Sequence, residues 1–205
     1  MKHATWLYSI TSLLIANLLP LYGVIFWGWN VFFLMLLYWL ESLIIGFFNF
    51  IKINRAEGKA LSKLDLKVNG QPLKDASAFS LSAFFLLHYG LFMFVHLIFI
   101  LVFFFSKEIN LLGLFSAFVS LCLSHFISYQ GHFIGNREYE RVSADDLFMK
   151  PYPRIIIMHL TILLGGALAF STGQSTLALG IMVFLKILAD LGLHTWSHYQ
   201  LAAKV

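Results

Sequence analysis

The sequence predicts an all-α, polytopic membrane protein: one bundle of six transmembrane helices with both termini cytoplasmic. Three observations lead there. Of the 205 residues, 12% are charged and 60% hydrophobic, with a mean hydropathy of +0.81, whereas soluble domains carry about 25% charged residues. Six apolar runs are long enough to cross a hydrocarbon core of about 30 Å. The basic residues gather in alternate connections between these runs, the pattern that orients a multi-pass chain.

The spans fall at Thr5–Phe26, Val31–Ile53, Phe79–Phe105, Leu111–Ile134, Arg154–Phe170 and Thr176–Leu201, forming a single transmembrane domain over residues 1–205. Lys2 precedes the first, and no small-residue cleavage site follows it, so it reads as a retained span and not a signal peptide. Gly28-Trp29-Asn30 breaks the chain before the second span. The cytoplasmic connection 54–78 is basic and contains Leu64-Asp65-Leu66-Lys67-Val68 followed by Asn69-Gly70, an alternating run leading into a hairpin turn. Lys107-Glu108 separates the third span from the fourth. The second cytoplasmic connection, 135–153, carries Asn136-Arg137-Glu138-Tyr139-Glu140-Arg141, either a lid with arginines for lipid phosphates or a plain solvated loop. Pro151-Tyr152-Pro153-Arg154 resets the chain, proline fixing φ at the start of span five, and Ser171-Thr172-Gly173-Gln174 leads into span six. Twelve of the fourteen basic residues lie on one side in this arrangement, which places the protein in the inner (plasma) membrane with N and C termini inside.

Several classes drop out. Nucleic-acid binding needs a soluble patch of interleaved basic and aromatic residues, and the chain has none. The single cysteine, Cys122, forbids an intramolecular disulfide, and no serine or cysteine nucleophile motif is present.

The ionisable residues inside the spans carry the functional information. Lys186, Asp190, His194 and His198 are spaced by four on span six, so they form one slowly turning stripe on a helix. An ionisable group at mid-bilayer costs roughly 2.5–3.5 kcal/mol on insertion scales, so this stripe faces a protein interior. Counting inward from the cytoplasmic helix ends at about 1.5 Å per residue puts His132, His198, His159, His194, His88, His125, Asp190 and Glu41 within about 18 Å of that boundary. They come from five helices; His96 lies in the outer half. Imidazole and carboxylate are the ligands of transition metals. The expected metal ligands are therefore His88, His125, His132, His159, His194 and His198, with zinc the first choice and iron or copper next. Asp190 and Glu41 are the candidate catalytic acids or bases. Lys186–Asp190 reads equally well as a structural ion pair. Glu41, the only acid in the first five spans, either meets a cation or works as a buried acid. Asn49 either orients a ligand histidine or secures helix packing.

His88-Tyr89-Gly90 with His96, Pro151-Tyr152-Pro153-Arg154-Ile155 with His159, and the Lys186/Asp190/His194/His198 stripe resemble a family of uncharacterised bacterial integral membrane proteins, a likeness that implies no activity. More loosely, His194 and His198, with His88 or His125 as a third histidine, are similar to the sites of alkaline ceramidases and adiponectin receptors. Those are membrane zinc hydrolases with seven spans, against six here. The likeness implies a metal-dependent hydrolase acting on a lipidic, membrane-embedded substrate near the cytoplasmic leaflet. Membrane desaturases and alkane hydroxylases are similar in their cytoplasm-facing, histidine-rich iron sites, though their His-x-x-His-His boxes are missing here. The excess of histidines makes a di-iron or copper oxidoreductase the alternative, followed by a b-type haem protein and then a metal transporter or sensor.

Overall fold

The computed structural model describes residues 22, 26, 30–58, 67–68, 71–72, 77–172, 180 and 184. Apart from isolated positions, the predicted first and sixth spans lie outside the described residues. So do Lys186, Asp190, His194 and His198.

The described chain is built from helices. In order they are α1 (Val31–Arg55), α2 (Ala78–Phe104), α3 (Leu111–Ser128), α4 (Ala144–Met149) and α5 (Tyr152–Thr172). A π-helical stretch, Tyr129–Gly135, continues α3, and a short 3₁₀ turn covers Glu138–Glu140. Among the described residues, four stretches are long and apolar enough to cross a bilayer: Val31–Arg55, Ala78–Phe104, Leu111–Gly135 and Ala144–Ala167. In hydrocarbon a backbone must satisfy its own hydrogen bonds, and uninterrupted helix does so. The outward surfaces agree with a lipid solvent. No residue of α3 between Leu111 and Ser128 is buried, and Leu112, Phe115, Leu123 and Ile127 are all exposed. A surface so apolar is not stable in water.

Between α1 and α2 the expected hairpin forms. Strand β1 (Lys67–Val68) pairs antiparallel with β2 (Gln71–Pro72), Lys67 opposite Pro72 and Val68 opposite Gln71. That register leaves two residues, Asn69-Gly70, to connect them, the commonest hairpin length.

The chain divides into two compact units. One takes residues up to Met35, Phe99–Ile109, and Ile156 onward; the other takes Leu36–Ile98 and Asn110–Ile155. In the first, Asn30 caps α1: its side-chain oxygen accepts from the Phe32 N–H at 2.8 Å, and its amide donates to the Ser106 hydroxyl at 2.6 Å. Phe32 meets Phe105 edge-on, and Phe103 closes over Gly166.

In the second unit α1 and α2 run antiparallel, tied by side-chain bonds. Trp39 Nε1 donates to the Met93 carbonyl (2.7 Å), Tyr89 Oη to the Ser42 carbonyl (2.6 Å), and Ser82 Oγ to Asn54 Oδ1 (3.0 Å). A Cβ at Gly46 would overlap the Tyr89 ring, so glycine is what lets the two helices close there.

The connection after α3 departs from the expected cytoplasmic loop. Its partners lie first just past the end of α1 and then progressively back along that helix. Tyr139 O accepts from Glu57 N (2.8 Å), Val142 O from Gly58 N (3.0 Å) and Leu147 O from the Asn49 side chain (2.8 Å), and Arg154 then pairs with Glu41. From Arg55 back to Glu41 is about 21 Å of helix. Residues 139–154 therefore run alongside α1 into the bundle, burying Asp145, Leu147, Phe148 and Ile155. Helix α5 begins at Tyr152, two residues before the expected start of span five, and the apolar helical stretch taken together with α4 runs Ala144–Ala167. Ser143 caps α4 by accepting from Asp146 N, and Pro151, inside the break between α4 and α5, is buried.

Candidate functional site

Glu41 faces Arg154, with side chains 27% and 33% exposed. Of the two alternatives open for this acid, the structure shows the first: it meets a cation. Around the pair stand residues from three helices. Tyr89 and His125 are both close enough to Arg154 to feel its charge, and His125 also feels Glu41 and Lys52. His125 stacks on Phe48 with ring centroids 6.2 Å apart. His88 lies in an aromatic setting, 5.4 Å from the Phe84 ring, 5.1 Å from Phe92 and 5.7 Å from Tyr152. The Tyr152 hydroxyl is buried and has no hydrogen-bond partner among the described residues. A buried hydroxyl left so costs about 1–3 kcal/mol, which a bound polar group would relieve.

An apolar chamber adjoins these residues. Its volume is about 670 Å³, within the range of about 300–1,000 Å³ usual for small-molecule sites. Leu43, Phe47 and Phe48 of α1, Phe85 and Tyr89 of α2, and Cys122 and Phe126 of α3 line it, and almost no polar atom reaches its surface. Gly90 also lines it, and nothing lies within 4 Å of where a Cβ would stand. Phe48 and Tyr89 belong to both places: the first stacks on His125, and the second stands within reach of the Arg154 charge.

The other predicted site residues separate. His132, on the π-helical stretch, is exposed and approaches only the Asn136 amide at 3.5 Å. His159 belongs to the other compact unit, where its ring lies 6.3 Å from Phe99. His96 is fully buried, with Nδ1 2.7 Å from the Phe92 carbonyl, a core histidine. Asn49 serves packing, through Leu147. Among the described residues no three His, Cys, Asp or Glu side chains are grouped to hold a metal ion. Of the four described histidines among the expected ligands, His88 and His125 are half-buried, His132 is exposed and His159 lies in the other compact unit.

Arg154, Tyr89 and Tyr152 are site residues that the residue count alone missed. A signal was present: Leu147-Phe148-Met149 is apolar enough to carry the membrane segment upstream of the prolines.

Residues 3–205 match a family described as a family of unknown function, DUF6498. No curated protein and no solved structure matches the chain.

Proposed function

The chain belongs to the DUF6498 family of unknown function, and from that premise we propose an integral membrane protein that takes the acyl chain of a lipidic molecule into the chamber and acts on that molecule with the polar groups at the chamber wall. One observation carries the reading: the Glu41–Arg154 pair, inside a membrane-spanning stretch, shares Tyr89 and the Phe48–His125 stack with an almost wholly apolar chamber. Ionisable groups are expensive at that depth and are kept where they bind or react. An acyl chain has the chemistry of the chamber walls and is the solvent on the outer side of α3.

The test is the lipid retained through purification. Wild-type protein in mild detergent is extracted and its lipids identified by mass spectrometry, beside Gly90→Phe, which fills the chamber from a position with free space. A stoichiometric lipid in the first and none in the second is the expected outcome. Equal lipid in both would refute the assignment.

For the reaction we propose metal-assisted hydrolysis, supported by the half-buried His125 within reach of the Glu41 and Arg154 charges. His194 and His198, at i and i+4, are the pair that would hold a zinc ion. A bound zinc supplies the Lewis acidity that brings a water's pKa toward neutrality. Glu41 is engaged by Arg154, so the general base falls to Asp190. Iron or copper on the same residues is the redox alternative. Metal content of wild type against His194→Ala decides: equal, negligible metal in both would remove the hydrolase and the redox readings together.

A further inference from the structure

His88 and Tyr152, both inside membrane-spanning stretches, are ring neighbours, 5.7 Å apart between centroids and tilted at 44°. The Tyr152 hydroxyl is buried and has no partner among the described residues. His88 is half-buried. Phe84 stacks on it at 5.4 Å and Phe92 meets it edge-on at 5.1 Å, and among the described residues nothing hydrogen-bonds to either ring nitrogen. On the Tyr152 side stand Phe148 and Phe85, 5.5 and 6.5 Å from its ring. Phe85 also lines the apolar chamber, as do Leu86 and Tyr89, which flank His88 on α2. One aromatic ring therefore separates the chamber from two adjacent polar groups whose hydrogen-bonding capacity the described chain leaves unused.

A phenol donates to an acceptor, and a neutral imidazole offers one donor and one acceptor nitrogen. Left unpaired in hydrocarbon, such groups are costly. The group that answers both carries a donor and an acceptor on neighbouring atoms. An ester has acceptors alone. A carboxyl group has both: its carbonyl oxygen accepts from the phenol, and its O–H donates to the imidazole. Low dielectric favours the neutral acid, which can donate. If the proton passes to the imidazole instead, the carboxylate accepts from both groups, which an amide cannot do. Resting on the acyl-chain reading above, we infer that His88 and Tyr152 bind the carboxyl group of a free long-chain fatty acid, whose chain passes Phe85 into the chamber. Such an acid is what hydrolysis of an acyl lipid releases.

The full-length protein in neutral detergent is titrated with palmitic acid, its methyl ester, its primary amide and sodium acetate, binding being read by native mass spectrometry and thermal shift. The acid is expected to bind about ten-fold tighter than the ester or the amide, the worth of one further hydrogen bond. Acetate is expected to give no shift at the same concentrations. His88→Phe keeps an aromatic ring in an aromatic setting and is expected to abolish the preference for acid over ester. Tyr152→Phe is expected to weaken both, and Gly90→Phe to bind neither. Without ligand, Tyr152→Phe is expected to melt no lower than wild type, because the hydroxyl it removes has no partner among the described residues. A lower melting temperature would show a structural hydrogen bond and overturn the binding role of Tyr152. Equal affinity of the acid and the ester or amide, a preference for the acid that survives His88→Phe, or an equal shift with acetate each overturns the carboxyl assignment. Failure of acid, ester and amide alike to bind overturns the acyl-chain reading itself, and this inference with it.

Discussion

Asn49 and Leu147 are joined by a buried hydrogen bond, the side-chain amide of one donating to the backbone carbonyl of the other at 2.8 Å across 98 residues of sequence. The bond marks where a non-helical connection becomes part of the bundle. Leu147 lies in the last turn of α4, where its carbonyl accepts from the Lys150 N–H at 3.3 Å. The Asn49 amide is its second donor and the one that ties the turn to α1.

Asn49→Leu keeps the volume roughly and removes the donor. The carbonyl keeps its bond from the Lys150 N–H, so loss of the second bond is expected to lower stability by about 0.5–1.5 kcal/mol. Denaturant unfolding in micelles measures this. A variant as stable as wild type would show that the connection does not depend on α1.

The Glu41–Arg154 pair lies in the same contact series. Glu41→Gln or Arg154→Gln alone is expected to cost about 1–3 kcal/mol, less than the 3–5 of a fully buried pair because both side chains keep some exposure. The double substitution is expected to cost clearly less than the sum, and the coupling in a double-mutant cycle is the quantity to read. An additive pair would show that the two charges do not interact.

Much of this fold is legible in the sequence, and the misses have physical reasons. Apolar runs bound α1, α2 and the stretch Leu111–Gly135 to within about two residues because length and solvent leave a spanning chain few alternatives. Asn69-Gly70 marks the hairpin because few turns tolerate other residues there. The pairing of Arg154 with Glu41 is not legible locally, because nothing near Arg154 in sequence reveals a carboxylate 113 positions away. Depth sets His96 apart but does not tell which way a side chain faces, and so His132, exposed, cannot be told by depth from His88 and His125, half-buried.

Gly46 and Gly90 lie on facing helices and are expected to behave oppositely. Gly46→Ala puts a methyl group into the Tyr89 ring, which must move and loosen its bond to the Ser42 carbonyl. Overpacking of this kind costs about 1–3 kcal/mol. Gly90→Ala meets nothing and is expected to be neutral or to stabilise by up to about 1 kcal/mol through helix propensity. Thermal melting of the two variants beside Tyr89→Phe checks the ordering, with Tyr89→Phe between them. Equal melting temperatures for the two glycine variants would contradict the close approach of α1 and α2.

The course of residues 139–154 has a direct chemical test, because the chain holds one cysteine. In a Cys122→Ser background, single cysteines are placed at Arg141, Leu147, Phe148 and Lys107 and exposed to a membrane-impermeant maleimide on sealed vesicles of known sidedness. Arg141 is exposed, and Leu147 and Phe148 are buried at 2% and 5%. A solvated loop from 135 to 153 would label at all three; a segment running beside α1 labels at 141 alone, since a thiol shielded from water neither ionises nor meets the reagent. Lys107, on the turn after α2, is one spanning helix removed from Arg141, so it labels from the opposite face. With the basic residues inside, Arg141→Cys is expected to react only from the cytoplasmic side and Lys107→Cys only from the other. Labelling of Leu147→Cys as fast as Arg141→Cys in intact vesicles would return the segment to the surface, and with it would go the ion pair that defines the site.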